Sequence, residues 1–474
     1  MIGGPAPRTA FAPWSFWSTS LAPTLVFALL TPACSDEALL ELFPESCADD
    51  CALGGSGGNG STASSAGGSA NEGGSPGASD GCGPLQARVR TSELALQAPA
   101  VPSEELPIDE YYPVLLAPAP DNTSLLAYRE ADNARATVLE LDHADQVVRT
   151  VFQTEAEEAH ALWAHEDGGA LVFVRDDPDI FSSEFCRNGN NGQFPCGSLE
   201  LQRFDASGNV TMSTTLTDKL NVETEGALFI WWFEHTARIA WADDTYGVYF
   251  RSARTIPTPG GITPRPGDTL RFVDSSGMRV NRGWDFGCIP SWSVRIAYNQ
   301  VWAAVCHGET PNAHRVVIFD GDEERELELL AGVPPAYRAL GGLSTHEDGF
   351  WLSYVQRTAN ATALHLARID RTAQLVIDRS VPDTHGLDFQ EGYVFRAYHA
   401  NYGDELLLGW KVDNQLLIAR ADRDTGELIE GPVQANAPID RFVEFTTFPN
   451  GDVGWADAGS DGAITVTRVL SCQE

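Results

Sequence analysis

The chain has 474 residues with 66 acidic against 31 basic side chains, a formal net charge of −35, and ordinary hydrophobic content at 43%. That balance excludes a sequence-independent nucleic-acid binder, which needs clustered Lys and Arg to release counterions, and docking on anionic lipid through a basic surface. The apolar content is enough for a large core, and all-β folds of several hundred residues often form one domain.

Residues 1–33 contain no Asp or Glu, and Arg8 is their only basic residue. An apolar stretch interrupted by Pro13 and Pro23 ends in Leu25-Val26-Phe27-Ala28-Leu29-Leu30. It is too short and broken for a stable membrane span, which predicts a signal peptide over residues 1–33. The following Leu30-Thr31-Pro32-Ala33-Cys34 resembles the lipobox of bacterial lipoproteins, although Thr31 stands where that motif usually has leucine. The resemblance implies that Cys34 is lipidated. Ser35, in place of the aspartate tied to inner-membrane retention, implies an outer-membrane lipoprotein, periplasmic or surface-facing. Cleavage after Ala33 without lipidation, giving a secreted protein, is the alternative.

Residues 34–82 read as a lipid-anchored start followed by a linker. From Leu53 to Gly81 the chain is almost all Gly, Ser, Ala and Asn. Such a segment buries too little apolar surface to offset its ordering entropy, so it is expected to be disordered. As a flexible coil it would span ~30 Å. Lipobox and tether together resemble the lipoproteins of myxobacteria and their relatives. A G-x-S-x-G match, Gly54-Gly55-Ser56-Gly57-Gly58, falls inside the tether and lacks the strand-to-helix setting of a nucleophile elbow.

Residues 83–474 form the folded domain. Past Ile108 a strand ending in Asp, a tight turn and a further short strand recur. The signature reads Leu141-Asp142-His143-Ala144-Asp145, Phe204-Asp205-Ala206-Ser207-Gly208 and Val273-Asp274-Ser275-Ser276-Gly277. It returns at Phe319-Asp320-Gly321-Asp322, Ile369-Asp370-Arg371-Thr372-Ala373 and Ala421-Asp422-Arg423-Asp424-Thr425-Gly426. An Asp that opens a turn can accept from the backbone two residues on, and Gly supplies positive φ; this is hairpin chemistry. Upstream turns repeat as well, at Asp121-Asn122, His165-Glu166-Asp167-Gly168, His346-Glu347-Asp348-Gly349 and Asn450-Gly451-Asp452, each before an apolar run.

The period of roughly 45–70 residues holds four short strands, as a propeller blade does. The chain is therefore expected to be all-β, a β-propeller of about seven four-stranded blades starting near residues 108, 157, 234, 286, 340, 395 and 440. The last blade is short, as if a strand from the domain start completes it. Over residues 105–472 the pattern resembles the WD-repeat and Tol-type propellers, without the Trp-Asp dipeptide in register. A pair of β-sandwiches or a β-helix is the alternative fold.

Nine cysteines are present, and setting aside Cys34 leaves an even number. Export makes disulfides the default. Cys186 and Cys196 flank one loop and are expected to pair. Cys288 and Cys306 fall on the first two strands of the fourth blade, within disulfide reach. Cys82 and Cys472 would fasten the ends of the domain, leaving Cys47 and Cys51. No spacing fits a zinc site.

Two connections inside blades are long, Asp176–Gly197 and the Pro/Gly-rich Arg254–Gly267; between them runs Asp218–Phe233, ending in Trp231-Trp232-Phe233. In a propeller all three would emerge on one face. With Arg187 and Arg254 as further anchors, these aromatics would form a cleft for a protein, peptide or glycan. The competing expectation is that the aromatic run packs as core. Asp176-Asp177-Pro178-Asp179 and Asp320-Gly321-Asp322-Glu323-Glu324 could hold calcium, but neither has a spaced calcium-loop pattern, and both read first as solvated turns. No Walker loop, dinucleotide fingerprint, zincin helix or sialidase box occurs. The sequence thus points to a binding protein without a cofactor, the alternative being a secreted hydrolase or lyase with a polar site in the propeller channel.

Overall fold

The structure, a computed structural model, describes residues 83–472 except 103–113, 134, 157, 177–195, 219–224, 231–235, 260, 286, 335–336, 359–360, 385–386, 388–396 and 441–442. A short 3-10 turn, Leu85–Arg88, leads into β1 (Val89–Glu93). The first blade follows as β2 (Leu115–Pro118), β3 (Ser124–Arg129), β4 (Arg135–Leu141) and β5 (Val147–Glu155). The second is β6 (Glu158–His165), β7 (Gly168–Asp176), β8 (Gly197–Asp205) and β9 (Val210–Thr215). A two-residue strand, β10 (Leu228–Phe229), precedes the third blade of β11 (Ala237–Ala242), β12 (Thr245–Thr258), β13 (Gly261–Asp274) and β14 (Arg279–Asp285).

The fourth blade is β15 (Ile289–Asn299), β16 (Val301–Thr310), β17 (His314–Asp320) and β18 (Glu323–Leu329). The fifth is β19 (Arg338–His346), β20 (Gly349–Arg357), β21 (Thr362–Asp370) and β22 (Leu375–Ser380). The sixth is β23 (Ala397–Tyr402), β24 (Glu405–Val412), β25 (Gln415–Asp422) and β26 (Leu428–Gln434). The seventh has β27 (Thr446–Thr447), β28 (Val453–Ala458) and β29 (Ile464–Val469), and its outer strand is β1.

These seven antiparallel sheets make a propeller. The inner strands succeed one another around a ring, β2 against β6, β6 against β11, then β15, β19, β23 and β27, which returns to β2. Hydrophobic clusters fill the space between neighbouring blades. The one joining the seventh blade to the first contains Ile464 and Val466 with Leu126 and Tyr128. Second strands are covered on both faces by neighbouring blades, so they read as unbroken apolar runs; β20 is buried from Gly349 to Val355. Outer strands have one wet face and alternate, as in β22 with Leu375, Val376, Asp378 and Ser380 exposed.

The turn chemistry explains the register. Oδ1 of Asp142 accepts from the backbone N–H of Ala144 (2.8 Å) and Gln146 (2.9 Å). Asp205, Asp274 and Asp370 each repeat this pair of bonds, and Asp422 receives the N–H groups of Asp424 and Thr425. The left-handed position of these turns holds Gly208 (φ 82°) and Gly277 (φ 87°), and also Asp145 (φ 58°) and Ala373 (φ 62°). Each of these turns is followed by a bulge in the outer pairing.

Ring closure is as the short last repeat implied. β1 pairs antiparallel with β29, Val89 opposite Val469 and Glu93 opposite Thr465. Leu85, fully buried, plugs the core between the sixth and seventh blades. One expectation is corrected. Arg254–Gly267 is not a loop: β12 and β13 continue as a paired hairpin to Thr258 and Gly261. Its Pro257, Pro264 and Pro266 lie beyond the reach of β10 and β14, where no outer neighbour needs their missing N–H.

Candidate functional site

The described parts of the three segments singled out in the sequence, Gly197, 227–230 and 254–255, meet at the base of this hairpin. Leu228 and Phe229 pair with Arg254 and Ala253. Ile230 exchanges backbone hydrogen bonds with Gly197 at 3.0 and 2.9 Å. Thr255 Oγ1 accepts from the N–H of Ala227 at 2.9 Å. The connection between the second and third blades is thereby strapped to the start of β8 on one side and to the hairpin on the other.

Arg254 is part of that bracing. Its Nη1 donates to Asp285 at 2.9 Å, while Arg271 meets the other oxygen of Asp285 at 2.7 Å. Arg279 in turn holds Asp218 at 2.8 Å. Leu228, Phe229 and Ile230 are buried. Trp231, Trp232, Phe233 and Arg187 lie outside the described residues. Past the braced base the hairpin tip is open to solvent, with Pro257, Ile262 and Arg265 exposed.

Cys288 and Cys306 form a disulfide with Cα atoms 6.1 Å apart, both buried in the core between the third and fourth blades. Cys196 and Cys472 are disulfide-bonded as well; their proposed partners Cys186 and Cys82, like Cys34, lie outside the described residues. Asp268 stands close enough to Cys288 and Cys306 for all three to reach one ion, but the two sulfurs are joined to each other. Asp268 instead accepts from Trp284 Nε1 (3.1 Å) and the N–H groups of Gly287 (2.7 Å) and Cys288 (3.0 Å). Burial pushes its carboxyl up to about 6 against those bonds. Of the acidic runs, Asp177 to Asp179 lie outside the described residues, and Glu323 pairs with Arg325 at 2.7 Å.

The second feature is the central channel, whose lining residues carry no local mark in the sequence. A cavity of about 1070 Å³ is lined by β2, β6, β11 and the segment around β27. Leu115, Leu162, Ile239, Val443 and Phe448 give it apolar walls, with Trp163 and Trp241 beside them. At the end marked by the turns after the inner strands, His165 hydrogen-bonds Tyr246 OH at 2.7 Å and meets Trp241 edge-on. Burial, and then the charge of Arg203, lower its pKa to about 4, so the ring is neutral. Deeper in, His160 Nε2 is 2.8 Å from Glu158.

Glu444, just before β27, extends to Arg238 on β11 and Arg295 on β15, with its Oε1 2.7 and 2.6 Å from their Nε atoms. Burial works against the Glu444 charge, but the two guanidinium groups outweigh it and hold its pKa below the usual range. His399 lies alongside, its ring nitrogens 2.9 Å from Ser344 Oγ and 2.8 Å from Ser353 Oγ. Burial lowers His399 to about 3. A neutral imidazole has one donor and one acceptor, so one serine donates and the other accepts, which satisfies the ring.

No family model and no curated protein matches the chain. Among solved structures it is similar to the Dos1 propeller, with 11% identity, 80% of this chain and 84% of that one covered, and a TM-score of 0.43. The WD40 domain of SCAP from fission yeast gives 9% identity, 82% and 89% coverage and a TM-score of 0.38. The subtype N10 neuraminidase-like protein of A/little yellow-shouldered bat/Guatemala gives 7%, 75% and 93%, and 0.38. The fold rests on the seven sheets themselves; at these values the likenesses bear on nothing further.

Proposed function

We propose that this chain is an envelope-anchored binding propeller that takes a protein, peptide or glycan on the face from which the β12–β13 hairpin projects. The observation that carries the reading is the build-out of that face. Both hairpin strands run 14 residues, whereas the equivalent β24 and β25 of the sixth blade run 8 each. Building out one sector of a ring serves no purpose in closing it, and long insertions on a rigid scaffold commonly carry recognition. The strap through β10 supports the same reading, because a braced hairpin loses little entropy when a partner settles on it. The lipobox-like Cys34 and the tether would hold the domain at the outer membrane; calcium at the acidic turns is an optional addition.

Replacing Trp231 and Trp232 by Ala tests the site. The expected outcome is loss of ligand binding with an unchanged melting temperature. A double variant that fails to fold makes the pair core and removes it from the site. The hydrolase or lyase reading keeps one observation in its favour, the Ser344–His399 contact near the channel. No carboxylate contacts His399 among the described hydrogen bonds to orient it as a base, so binding is the better-supported function.

A further inference from the structure

Glu444 has an unusual setting. It is delivered by the segment entering β27, the shortest inner strand of the ring, which is held to β28 only through Thr446 opposite Gly454 and Thr447 opposite Val453. From the seventh blade its carboxylate spans the channel to arginines of the third and fourth blades. Arg238 and Arg295 thus converge from two adjacent strands on one carboxylate oxygen. Glu444, 30% exposed, lines the cavity together with Arg238, and Arg295, 4% exposed and not itself among the lining residues, sits behind it.

We propose that Arg238 and Arg295 are the receptor for the carboxylate of a small acid with an apolar tail that enters the channel, and that Glu444 holds that place in the ligand-free protein. Guanidinium pairs match carboxylate geometry, and the burial of Arg295 strengthens the attraction. Exchanging one carboxylate for another conserves the charge balance, so the arginines are never left uncompensated. The gain comes from the tail, which covers the wall of Leu115, Leu162, Ile239 and Val443. The cavity is of the size that holds small-molecule ligands. This site is separate from the hairpin face and goes beyond the function proposed above.

The test is calorimetric titration of hexanoate, with hexanamide and matched sodium chloride as controls, into wild type, Glu444→Gln and Glu444→Ala. Removing the competing carboxylate is expected to tighten hexanoate binding by about tenfold or more, equivalent to about 1.4 kcal/mol, and to leave hexanamide weak. Adding Arg238→Met to Glu444→Gln should abolish the gain. Hexanoate binding no tighter in either folded variant than in wild type would overturn the proposal, as would hexanamide binding equally well. If neither variant folds, Glu444 is a core brace that cannot be displaced, and the proposal falls.

Discussion

Arg468 Nε donates to Asp145 Oδ1 at 2.6 Å, and both side chains are only 1% exposed. Arg468 belongs to β29 of the last blade and Asp145 to the β4–β5 turn of the first, so this buried ion pair spans the seam of the ring. The other oxygen of Asp145 receives Arg90 of β1 at 2.6 Å, and the Arg468 guanidinium lies over Phe448, 3.6 Å from the ring centre. Asp145 sits at φ 58°, a conformation Asn also tolerates. Asp145→Asn should therefore keep the turn but leave the buried Arg468 with only Asp452, at 4.0 Å, as a counter-charge, costing about 3 kcal/mol in urea unfolding. Arg90 is 38% exposed, and Arg90→Ala should cost about 0–1 kcal/mol. Equal losses in the two variants would mean the seam is not held by the buried pair.

The pH dependence of stability should carry a mark from Asp268. Its folded pKa is about 6 against an ordinary 3.8, so between those values the folded protein retains a proton that the unfolded chain releases. That contribution is fully present below pH 3.8 and is lost as pH rises through 6. Asp268→Asn removes the titration. Relative to wild type, the variant should become more stable by about 2 kcal/mol on going from pH 4 to pH 7. Denaturant melts at the two pH values measure this, and a constant difference between the proteins would contradict it. The turn aspartates Asp205, Asp274 and Asp370 act in the opposite sense. Their hydrogen bonds lower their pKa values, so their contribution is lost as pH falls below the ordinary carboxylate range.

The Cys288–Cys306 bridge closes a loop with a sequence separation of 18. The loop-entropy relation gives about 3 kcal/mol for such a closure. Replacing both cysteines by Ala should lower stability by about that amount while leaving the circular dichroism of the sheets unchanged. A variant as stable as wild type would show that neighbouring strands alone define this part of the fourth blade.

Much of this fold is legible in the sequence because hairpin chemistry is local. Asp205 and Asp370 reach only to backbone groups a few residues ahead, so the repeat of Asp, turn and Val or Leu marks every such hairpin directly. The deficit in the last repeat likewise announces the β1–β29 pairing. The hairpin at Arg254–Gly267 is misread because Pro and Gly signal a loop, whereas here the prolines sit where the strands have no outer neighbour. The channel cluster is illegible for a different reason. Glu444, Arg238 and Arg295 are brought together only by the closed ring, and nothing local marks them. Aligning the repeats on the turns after β11 and β15 places Arg238 and Arg295 at the same height, a hint that gains meaning only once those strands are known to line a channel.

The most direct test of the binding function is a thermal-shift screen of the oxidised domain against cell-wall fragments, oligosaccharides and peptide pools, run beside a variant in which residues 256–263 are replaced by Asn-Gly. That turn keeps Thr255 opposite Pro264 and so preserves the register and the strap. A ligand at a hundred times its dissociation constant adds about 2.7 kcal/mol of stability, which is readily seen as a raised Tm. At least one class is expected to raise the Tm of the wild-type domain, and the shortened variant, melting normally on its own, is expected to lose that shift. An undiminished shift in the shortened variant, or no shift in the wild-type domain with any class, would contradict the binding function.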